Sequence, residues 1–298
     1  MTDFDFEAYQ SQCQQRVNQC LQRWLTTADG LAPRLMEAMG YATFNGGKRV
    51  RPLLAYAAAN AVGGQPDWVD DIAAALEMVH SYSLVHDDLP AMDDDDLRRG
   101  KPTCHIAFDE ATAILAGDAL QCLAFEVLSQ SQPPLSDSVR LTLIQILAQA
   151  SGTQGMAGGQ ALDLAAEGQQ LYLSELETIH RHKTGCLIRA SVKMGALSHP
   201  TVTDHQLESL DQYAQAIGLC FQVQDDILDV IGSTALLGKN KGADQAMEKA
   251  TYPALLGLDQ AKNFAMELCA KAILALSDFG AEADPLRALA NYIVSRSN

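Results

Sequence analysis

The sequence predicts an all-α protein that forms one domain of about ten helices over residues 1–298. Apolar residues recur at helical spacing along almost the whole chain, and no segment shows the sustained alternation that is typical of a β-strand. Only 6% of the residues are aromatic, which disfavours a β-sandwich or barrel, and 48% are hydrophobic, which suffices for a buried core. No long linker or repeat divides the chain, so a single domain is the simplest interpretation.

In chain order, two stripes of apolar residues predict helices most clearly. They consist of Tyr9, Cys13, Val17, Leu21 and Trp24, and of Ile72, Leu76, Val79 and Val85. Further helices are predicted over 31–42, 52–63, 107–131, 136–159, 173–195, 204–232, 253–277 and 284–296. Short breakers such as Gly63-Gly64 and Pro133-Pro134 separate them. Ser174 with Glu177 matches a capping box and predicts a helix start there.

The charge balance excludes one class of function. The net charge is −16, from 37 acidic and 21 basic residues. A protein that binds DNA or RNA through its phosphates needs a basic surface, so no nucleic acid is expected as a partner.

Three features of the sequence bear on the compartment of the protein and on membrane insertion. The seven cysteines are scattered and contain no CxxC, so neither a zinc site nor a disulfide framework is supported. The acidic start MTDFDFEAYQ lacks the features of a signal peptide. The charge-free stretch 141–162 is interrupted by glutamines and glycines, so no membrane span is expected. These features predict a protein of a reducing cytoplasm.

Six of the ten residues from Asp87 to Asp96 are aspartates. Adjacent carboxylates in water repel by about 1 kcal/mol per close pair, so an apolar helix that leads into this cluster is costly unless a cation binds there. For an isolated run, a solvated acidic loop would be the more ordinary interpretation.

A second cluster, FQVQDDILDV, changes that balance. Asp225, Asp226 and Asp229 lie on an otherwise apolar predicted helix, and the i, i+4 spacing puts Asp225 and Asp229 on one face. Carboxylates are seldom buried unpaired, so the two clusters are interpreted as opposing walls of one metal-filled cavity. Magnesium suits it because it takes oxygen ligands and bridges carboxylates to phosphates. Calcium is less suited, since the EF-hand spacing is absent.

Basic residues are grouped in a way that supports a phosphate ligand. Ten of the 21 fall in four groups, Lys48/Arg49/Arg51, Arg98/Arg99/Lys101, Arg181/Lys183 and Lys239/Lys241. Arginine and lysine bind phosphate oxygens well, although local neutralisation of the acidic residues by surface ion pairs is the alternative. Neither a Walker loop nor GxGxxG is present, so ATP and dinucleotide chemistry are not indicated.

With these motifs in place, the chain resembles the trans-isoprenyl diphosphate synthases, most closely the bacterial members that make farnesyl diphosphate. HDDLPAMDDDDLRRG and FQVQDDILD resemble the two aspartate-rich motifs of that family, and GGKRVRP, HKT, GK and KATYP match further blocks in order. The resemblance covers essentially the whole chain. It implies the isoprenoid synthase fold, a helical bundle around a central cavity, usually in a homodimer. It also implies a Mg²⁺-dependent prenyltransferase that condenses isopentenyl diphosphate with dimethylallyl and geranyl diphosphates to give (E,E)-farnesyl diphosphate.

The resemblance also implies roles for individual residues. Three Mg²⁺ ions, with Mn²⁺ as an alternative, would be held by Asp87, Asp88, Asp93, Asp225, Asp226 and Asp229. Isopentenyl diphosphate would be bound by Lys48, Arg51, His80 and Arg99. The allylic diphosphate would be bound by Arg98, Lys183, Thr184, Gln222, Lys239 and Lys249. Lys183, Thr184 and Gln222 are the expected catalytic group. Gln160 and Asp163 would support the site, and Ser233 departs from the acidic residue expected at its position.

Product length is expected to depend on Tyr82, five residues before Asp87. In similar bacterial members a bulky ring there stops growth near C15, although ordinary core packing is the plainer interpretation. A geranylgeranyl or longer-chain synthase would differ at this position. A class I terpene cyclase would not need a second diphosphate site such as Lys48, Arg51 and His80. A non-catalytic helical subunit would commonly lack one aspartate motif, and both are intact.

Overall fold

The computed structural model describes residues 4–26, 31–130, 135–231 and 250–296. Its helices in chain order are α1 Phe6–Leu25, α2 Pro33–Thr43, α3 Val50–Ala61, α4 Asp70–Asp87, α5 Cys104–Ala107, α6 Glu110–Gln130, α7 Asp137–Ser151, α8 Met156–Ala165, α9 Leu173–His180, α10 Cys186–Leu197, α11 Asp204–Ile231, α12 Tyr252–Leu256, α13 Leu258–Ala275 and α14 Asp284–Ser295. A five-residue π-helical turn, Arg181–Gly185, joins α9 to α10. The predicted all-α fold is confirmed.

Several boundaries differ from the sequence-based expectation. The predicted helix 136–159 is two helices, because Gly152 and Gly155 adopt extended or irregular conformations between α7 and α8. The predicted helix 253–277 is interrupted at Gly257, whose φ of 82° favours glycine. A small antiparallel hairpin of β1 Leu97–Arg98 and β2 Lys101–Pro102 was not predicted, since each strand has only two residues and shows no periodicity.

The predicted capping box at Ser174 and Glu177 is wrong by two residues. The helix α9 begins at Leu173, and the backbone N–H of Tyr172 donates to the Glu175 carboxylate at 2.8 Å. Glu177 instead pairs with Arg181 one turn further along, at 3.1 Å. The sequence contains acidic residues at both positions, so spacing alone could not choose between them.

The centre of the bundle is formed by α4, α10 and α11. Helix α4 is buried continuously from Ile72 to Val79 and packs between α3 and α6, while α10 packs on α3 and α11 packs along α13. Helix α6 is the one described helix that is long and apolar enough to cross a membrane by length and composition alone. Its apolar residues pack extensively on α4, and core helices of this kind satisfy the same criterion.

A close approach between α8 and the π-helical turn shapes the middle of the bundle. A Cβ atom on Gly159 would lie 2.1 Å from the Lys183 backbone nitrogen and 2.6 Å from the Lys183 Cα. Only glycine lets these two segments touch. The π-helical turn therefore faces α8 directly, and π-turns of this kind are frequent at functional sites.

Gly159→Ala is expected to destabilise the fold by about 1–3 kcal/mol, because the added methyl group meets backbone atoms that cannot move separately. Gly40→Ala is the matched control, since a Cβ there would have nothing within 4 Å and Gly40 lies inside α2. The control is expected to stabilise by about 0.5–1 kcal/mol. Denaturant unfolding of both variants checks this, and equal stability of the two would contradict the close approach.

Candidate active site

A cavity of about 470 Å³ lies where α4, α8, the π-helical turn and α11 face one another. It brings together side chains that the sequence predicted as functional and that are far apart in the chain. Among its lining residues are Arg51, His80, Asp87, Lys183, Thr184 and Asp225. Helices that are each largely apolar thus contribute acidic, basic and hydroxyl groups to one cavity.

The first aspartate motif sends one carboxylate into this cavity. Asp87 is the last residue of α4 and lines the cavity, and burial raises the pKa of its carboxyl to about 6, against the opposing effect of Lys183. Asp88 is buried on the other side and accepts from Arg98 Nε at 2.7 Å. The backbone N–H of Asp93 donates to the Asp87 carbonyl at 2.8 Å, so the motif folds back upon itself.

The second motif divides in the same way. Asp225 lines the cavity, whereas Asp226 is buried and bonded within the protein. Its Oδ1 accepts from Gln222 Nε2 at 3.1 Å, and its Oδ2 accepts from the Tyr252 backbone N–H at 3.0 Å. Asp229 is buried one turn further along α11. The two motifs therefore contribute Asp87 and Asp225 to the cavity lining.

The arrangement fits magnesium that is shared with a substrate. Within the described ranges, no three His, Cys, Asp or Glu side chains converge closely enough to hold a metal by themselves. Mg²⁺ requires octahedral oxygen coordination and is commonly bound through one or two carboxylates together with substrate phosphates and waters. Carboxylates from α4 and α11 that line one cavity are suited to that mode. A diphosphate would supply the missing oxygen ligands.

Basic groups occupy the end of the cavity near α3. Arg51 lies in the first turn of α3, and burial lowers its pKa. Burial and the nearby Arg51 and Arg99 lower the pKa of His80 well below its ordinary value, so this imidazole is neutral. Lys48 is half-buried, with its Nζ 5.9 Å from the centre of the Tyr292 ring. The exposed Arg99 donates to the Gly46 carbonyl. These groups can bind a diphosphate by charge and hydrogen bonds.

On the opposite side, polar groups are held by one another. Lys183 Nζ donates to Asp163 Oδ2 at 2.6 Å. The Thr184 hydroxyl donates to Gln222 Oε1 at 3.1 Å, and Gln222 in turn donates to Asp226, which fixes the orientation of the amide. Gln160 is buried beside this group. Of the remaining predicted residues, Lys239, Lys249 and Ser233 lie outside the described residues.

Tyr82 closes the cavity on the side of α6. Its side chain is buried, and its ring meets the His86 ring edge-on with 5.8 Å between centroids. His86 Nε2 lies 3.0 Å from the Ile114 carbonyl oxygen of α6. Both Tyr82 and His86 line the cavity, whereas no residue of α6, which is described throughout, does so.

Two features of the site were missed by the sequence analysis. Arg296, just beyond α14, is buried against α11 and donates from Nη2 to Asp225 Oδ1 at 2.5 Å, with its guanidinium 4.2 Å from the Phe221 ring centre. Nothing in the sequence links a residue near the end of the chain to the second motif. Arg49 and Glu77 form a buried ion pair. A signal for it exists, because Glu77 interrupts the apolar run of α4.

Residues 32–288 match the family model described as Polyprenyl synthetase. The chain is 52% identical over 297 residues to the farnesyl diphosphate synthase of Escherichia coli, covering 98% of this chain and 99% of that protein. It is 54% identical over 288 residues to the farnesyl diphosphate synthase of Haemophilus influenzae, covering 96% and 97%. A crystal structure of the geranyltransferase from Helicobacter pylori, complexed with magnesium and isoprenyl diphosphate, has a TM-score of 0.88 at 35% identity, covering 99% of this chain and 100% of that one.

At low pH, a Mg²⁺ ion that binds Asp87 must displace the proton of the Asp87 carboxyl group. Because burial raises the pKa of this carboxyl to about 6, it is ionised above that pH and protonated below it. Mg²⁺ affinity is therefore expected to be constant above about pH 7 and to fall by up to about tenfold per pH unit below 6. Calorimetric titration of wild type and Asp87→Asn with Mg²⁺ between pH 5 and 8, each saturated with a non-ionising allylic diphosphate analogue, checks this, because the titration of the analogue is common to both proteins. The same pH dependence in both proteins would exclude Asp87 as its source.

Proposed function

The chain belongs to the polyprenyl synthetase family, and from this premise we propose that it is a prenyltransferase that makes (E,E)-farnesyl diphosphate. It condenses isopentenyl diphosphate first with dimethylallyl diphosphate and then with geranyl diphosphate. The observation that carries this function is the single cavity in which Asp87 and Asp225 face a basic corner formed by Arg51 and His80. Two diphosphates need two sets of charged groups, and the cavity has both.

The reaction is an ionisation followed by an alkylation. The C–O bond of the allylic diphosphate breaks, and the electron pair leaves with the diphosphate. The double bond of isopentenyl diphosphate then attacks the allylic cation and forms the new C–C bond, and a proton is lost to the released diphosphate. No nucleophilic side chain is needed. The bound Mg²⁺, three ions in our proposal with Mn²⁺ as an alternative, supplies electrophilic stabilisation of the departing diphosphate.

The residues of the chain have distinct parts in this reaction. Asp87, Asp93 and Asp225 are the strongest candidates for metal ligands, and Asp88, Asp226 and Asp229 complete the two motifs around them. Lys183 is positioned by Asp163 to take up charge on the leaving diphosphate. The Thr184 hydroxyl donates to Gln222, so its oxygen lone pairs are available to the allylic cation. Arg98, Lys239 and Lys249 are assigned to the allylic diphosphate as well.

The isopentenyl diphosphate is assigned to Lys48, Arg51, His80 and Arg99, of which Arg51 and His80 line the cavity. The neutral His80 can donate a hydrogen bond to a phosphate oxygen without adding charge. Apolar side chains, including Met92, Met156 and Leu164, also line the cavity. An apolar lining excludes water, which would otherwise capture the cation.

We assign the length limit to Tyr82. Its buried ring stands with His86 between the cavity and α6, so a growing chain that extends along α4 meets it. A geranylgeranyl or longer-chain synthase is the alternative function and would require this end of the cavity to be open. A non-catalytic helical subunit is less suited to the chain, because both aspartate motifs are intact.

The assembly and the compartment belong to the proposal, and the apolar surface and the cysteines support them. We assign a homodimer, since α6 and α7 expose the large apolar residues Ile114, Leu115 and Leu141 on the monomer. All seven cysteines are free, which suits a reducing cytoplasm. The whole chain, residues 1–298, is assigned to one catalytic domain.

Product analysis by mass spectrometry tests the function. Purified protein incubated with dimethylallyl and isopentenyl diphosphates is expected to form a C15 diphosphate only when Mg²⁺ is added. Asp87→Ala and Asp225→Ala are expected to lower kcat by about a hundredfold or more while the chain stays folded, because charge on the leaving group loses its stabilisation. Asp278→Ala is the control, since this carboxylate is exposed and is not part of the cavity lining. Normal turnover of either motif variant would contradict the metal assignment.

Tyr82→Ala is expected to lengthen the product, because removing the ring opens the cavity toward α6. The measurement is the ratio of C20 and longer diphosphates to C15 with geranyl diphosphate as primer. Tyr172→Ala, a change at an exposed tyrosine, serves as the control and should leave the ratio unchanged. An active Tyr82→Ala variant that still releases C15 alone would remove this assignment.

A further inference from the structure

An ion pair is buried next to the cavity without being part of its lining. Arg49 Nη1 lies 2.7 Å from Glu77 Oε1, and the two side chains are 5% and 2% exposed. Burying two charges costs more free energy than packing apolar residues of similar volume in the same place. Glu77 also interrupts the apolar face of α4, where a leucine would pack without that cost. Such a pair points to a role other than stability.

The Arg49 guanidinium ties three segments together at the start of α3. Besides Glu77, it donates from Nη2 to the Thr43 carbonyl at 2.8 Å and from Nε to Asn18 Oδ1 at 3.1 Å. Arg49 itself is the N-cap residue of α3 and has a left-handed backbone with φ of 53°. A non-glycine residue keeps this conformation only when its surroundings enforce it. The contacts of the guanidinium supply that constraint.

The constrained residue separates two of the four groups assigned to isopentenyl diphosphate. Lys48 immediately precedes Arg49, and Arg51 lies in the first turn of α3. The directions of both side chains therefore depend on the backbone of Arg49. Glu77, the other member of the ion pair, lies one turn before His80 on α4. The ion pair therefore also links Arg49 to the helix that carries His80, another of these groups.

Glu77 acts on neighbouring cations as well. Burial lowers the pKa of the Arg51 and Arg99 guanidiniums. The negative charge of Glu77 acts in the opposite direction and favours their protonated forms. Glu77 Oε2 is buried without a hydrogen-bond partner in the part of the chain that the structure describes, and so is Arg51 Nε. The carboxylate therefore lies beneath a cluster of positive groups that would repel one another without it.

We propose that Glu77 is a positioning residue for the isopentenyl diphosphate end of the cavity, acting through Arg49 on Lys48 and Arg51. The inference rests on the proposed function. In it, Glu77 and Arg49 act on the substrate-binding groups without contacting the substrate themselves. It is selective, because the described groups assigned to the allylic diphosphate are held by other residues. Lys183 pairs with Asp163, Thr184 with Gln222, and Arg98 with Asp88. Loss of Glu77 should affect one substrate and spare the other.

The test is steady-state kinetics of Glu77→Gln with each substrate varied separately. The KM for isopentenyl diphosphate is expected to rise at least tenfold, because Arg49 loses its counter-ion and its left-handed turn. The KM for geranyl diphosphate and kcat at saturation should stay within about threefold of wild type. A charge effect alone would do the opposite, since removing an acidic group near the cations should lower the KM for a diphosphate. A lowered or unchanged KM for isopentenyl diphosphate overturns the proposal.

A double variant separates positioning from stability. Arg49→Met combined with Glu77→Leu removes both charges from the core, so the thermal midpoint is expected to recover relative to Glu77→Gln. The tether of the α3 start is still lost, so the KM for isopentenyl diphosphate should remain at least tenfold raised. A wild-type KM in this double variant would mean that the ion pair serves stability alone. If Glu77→Gln does not fold, the KM of the double variant for isopentenyl diphosphate tests the positioning role instead.

Asp70→Asn is the matched control. Asp70 lies on the same helix α4 and pairs with Arg16 at 2.7 Å, at the end remote from the cavity. It should lower the thermal midpoint and leave both KM values unchanged. The outcomes also separate this inference from the function on which it rests. Wild-type protein that forms no product refutes the prenyltransferase assignment, whereas active wild type with unaltered substrate affinities in the Glu77 variants refutes only the positioning role.

Discussion

The cost of placing charge inside an apolar helical bundle is the constraint on which the rest of this structure depends. An ionised carboxylate or guanidinium is stable there only with a partner within reach. Asp88 has Arg98, Glu77 has Arg49, and Asp163 has Lys183. Asp87 lines the cavity, and burial raises its pKa to about 6 although Lys183 acts in the opposite direction. The carboxylate that is stabilised least by the protein is thus the one best placed to gain from a metal ion.

Irregular backbone concentrates around the same cavity. The long helices supply its apolar walls and several of its polar groups, including His80 and Asp225, whereas two more polar groups come from a position where regular structure is interrupted. The π-helical turn carries Lys183 and Thr184, and the three described non-glycine residues with positive φ are Arg49, Asp94 and Arg99. Such conformations persist only where surrounding contacts enforce them. The ion pair beneath α3 and the contact of Gly159 with the π-helical turn are contacts of that kind.

Periodicity predicted most helices to within a few residues, because a buried face must recur every 3.6 residues. It failed at residues 152–155, where the helix is broken between α7 and α8. The hydrophobic pattern continues across that break and so did not reveal it. The motifs predicted that the two aspartate clusters meet, and the structure places Asp87 and Asp225 in one cavity lining. They could not predict that Arg296 packs against Asp225, since that contact joins residues 71 positions apart. Nor could they predict Arg49 paired with Glu77, which depends on how α3 and α4 pack.

The doubled aspartates have a geometric explanation. Successive residues on a helix point about 100° apart, and in each of these motifs the second of the adjacent aspartates is turned away from the cavity lining. In each motif the first carboxylate lines the cavity and the second is bonded inside the protein. The inner residues are not redundant. Asp88 holds the arginine of the following hairpin, and Asp226 orients Gln222 and the backbone at Tyr252. Each pair is therefore best understood as one group that faces the cavity and one that fixes the surrounding structure. The two adjacent aspartates of each motif are therefore needed for different physical reasons.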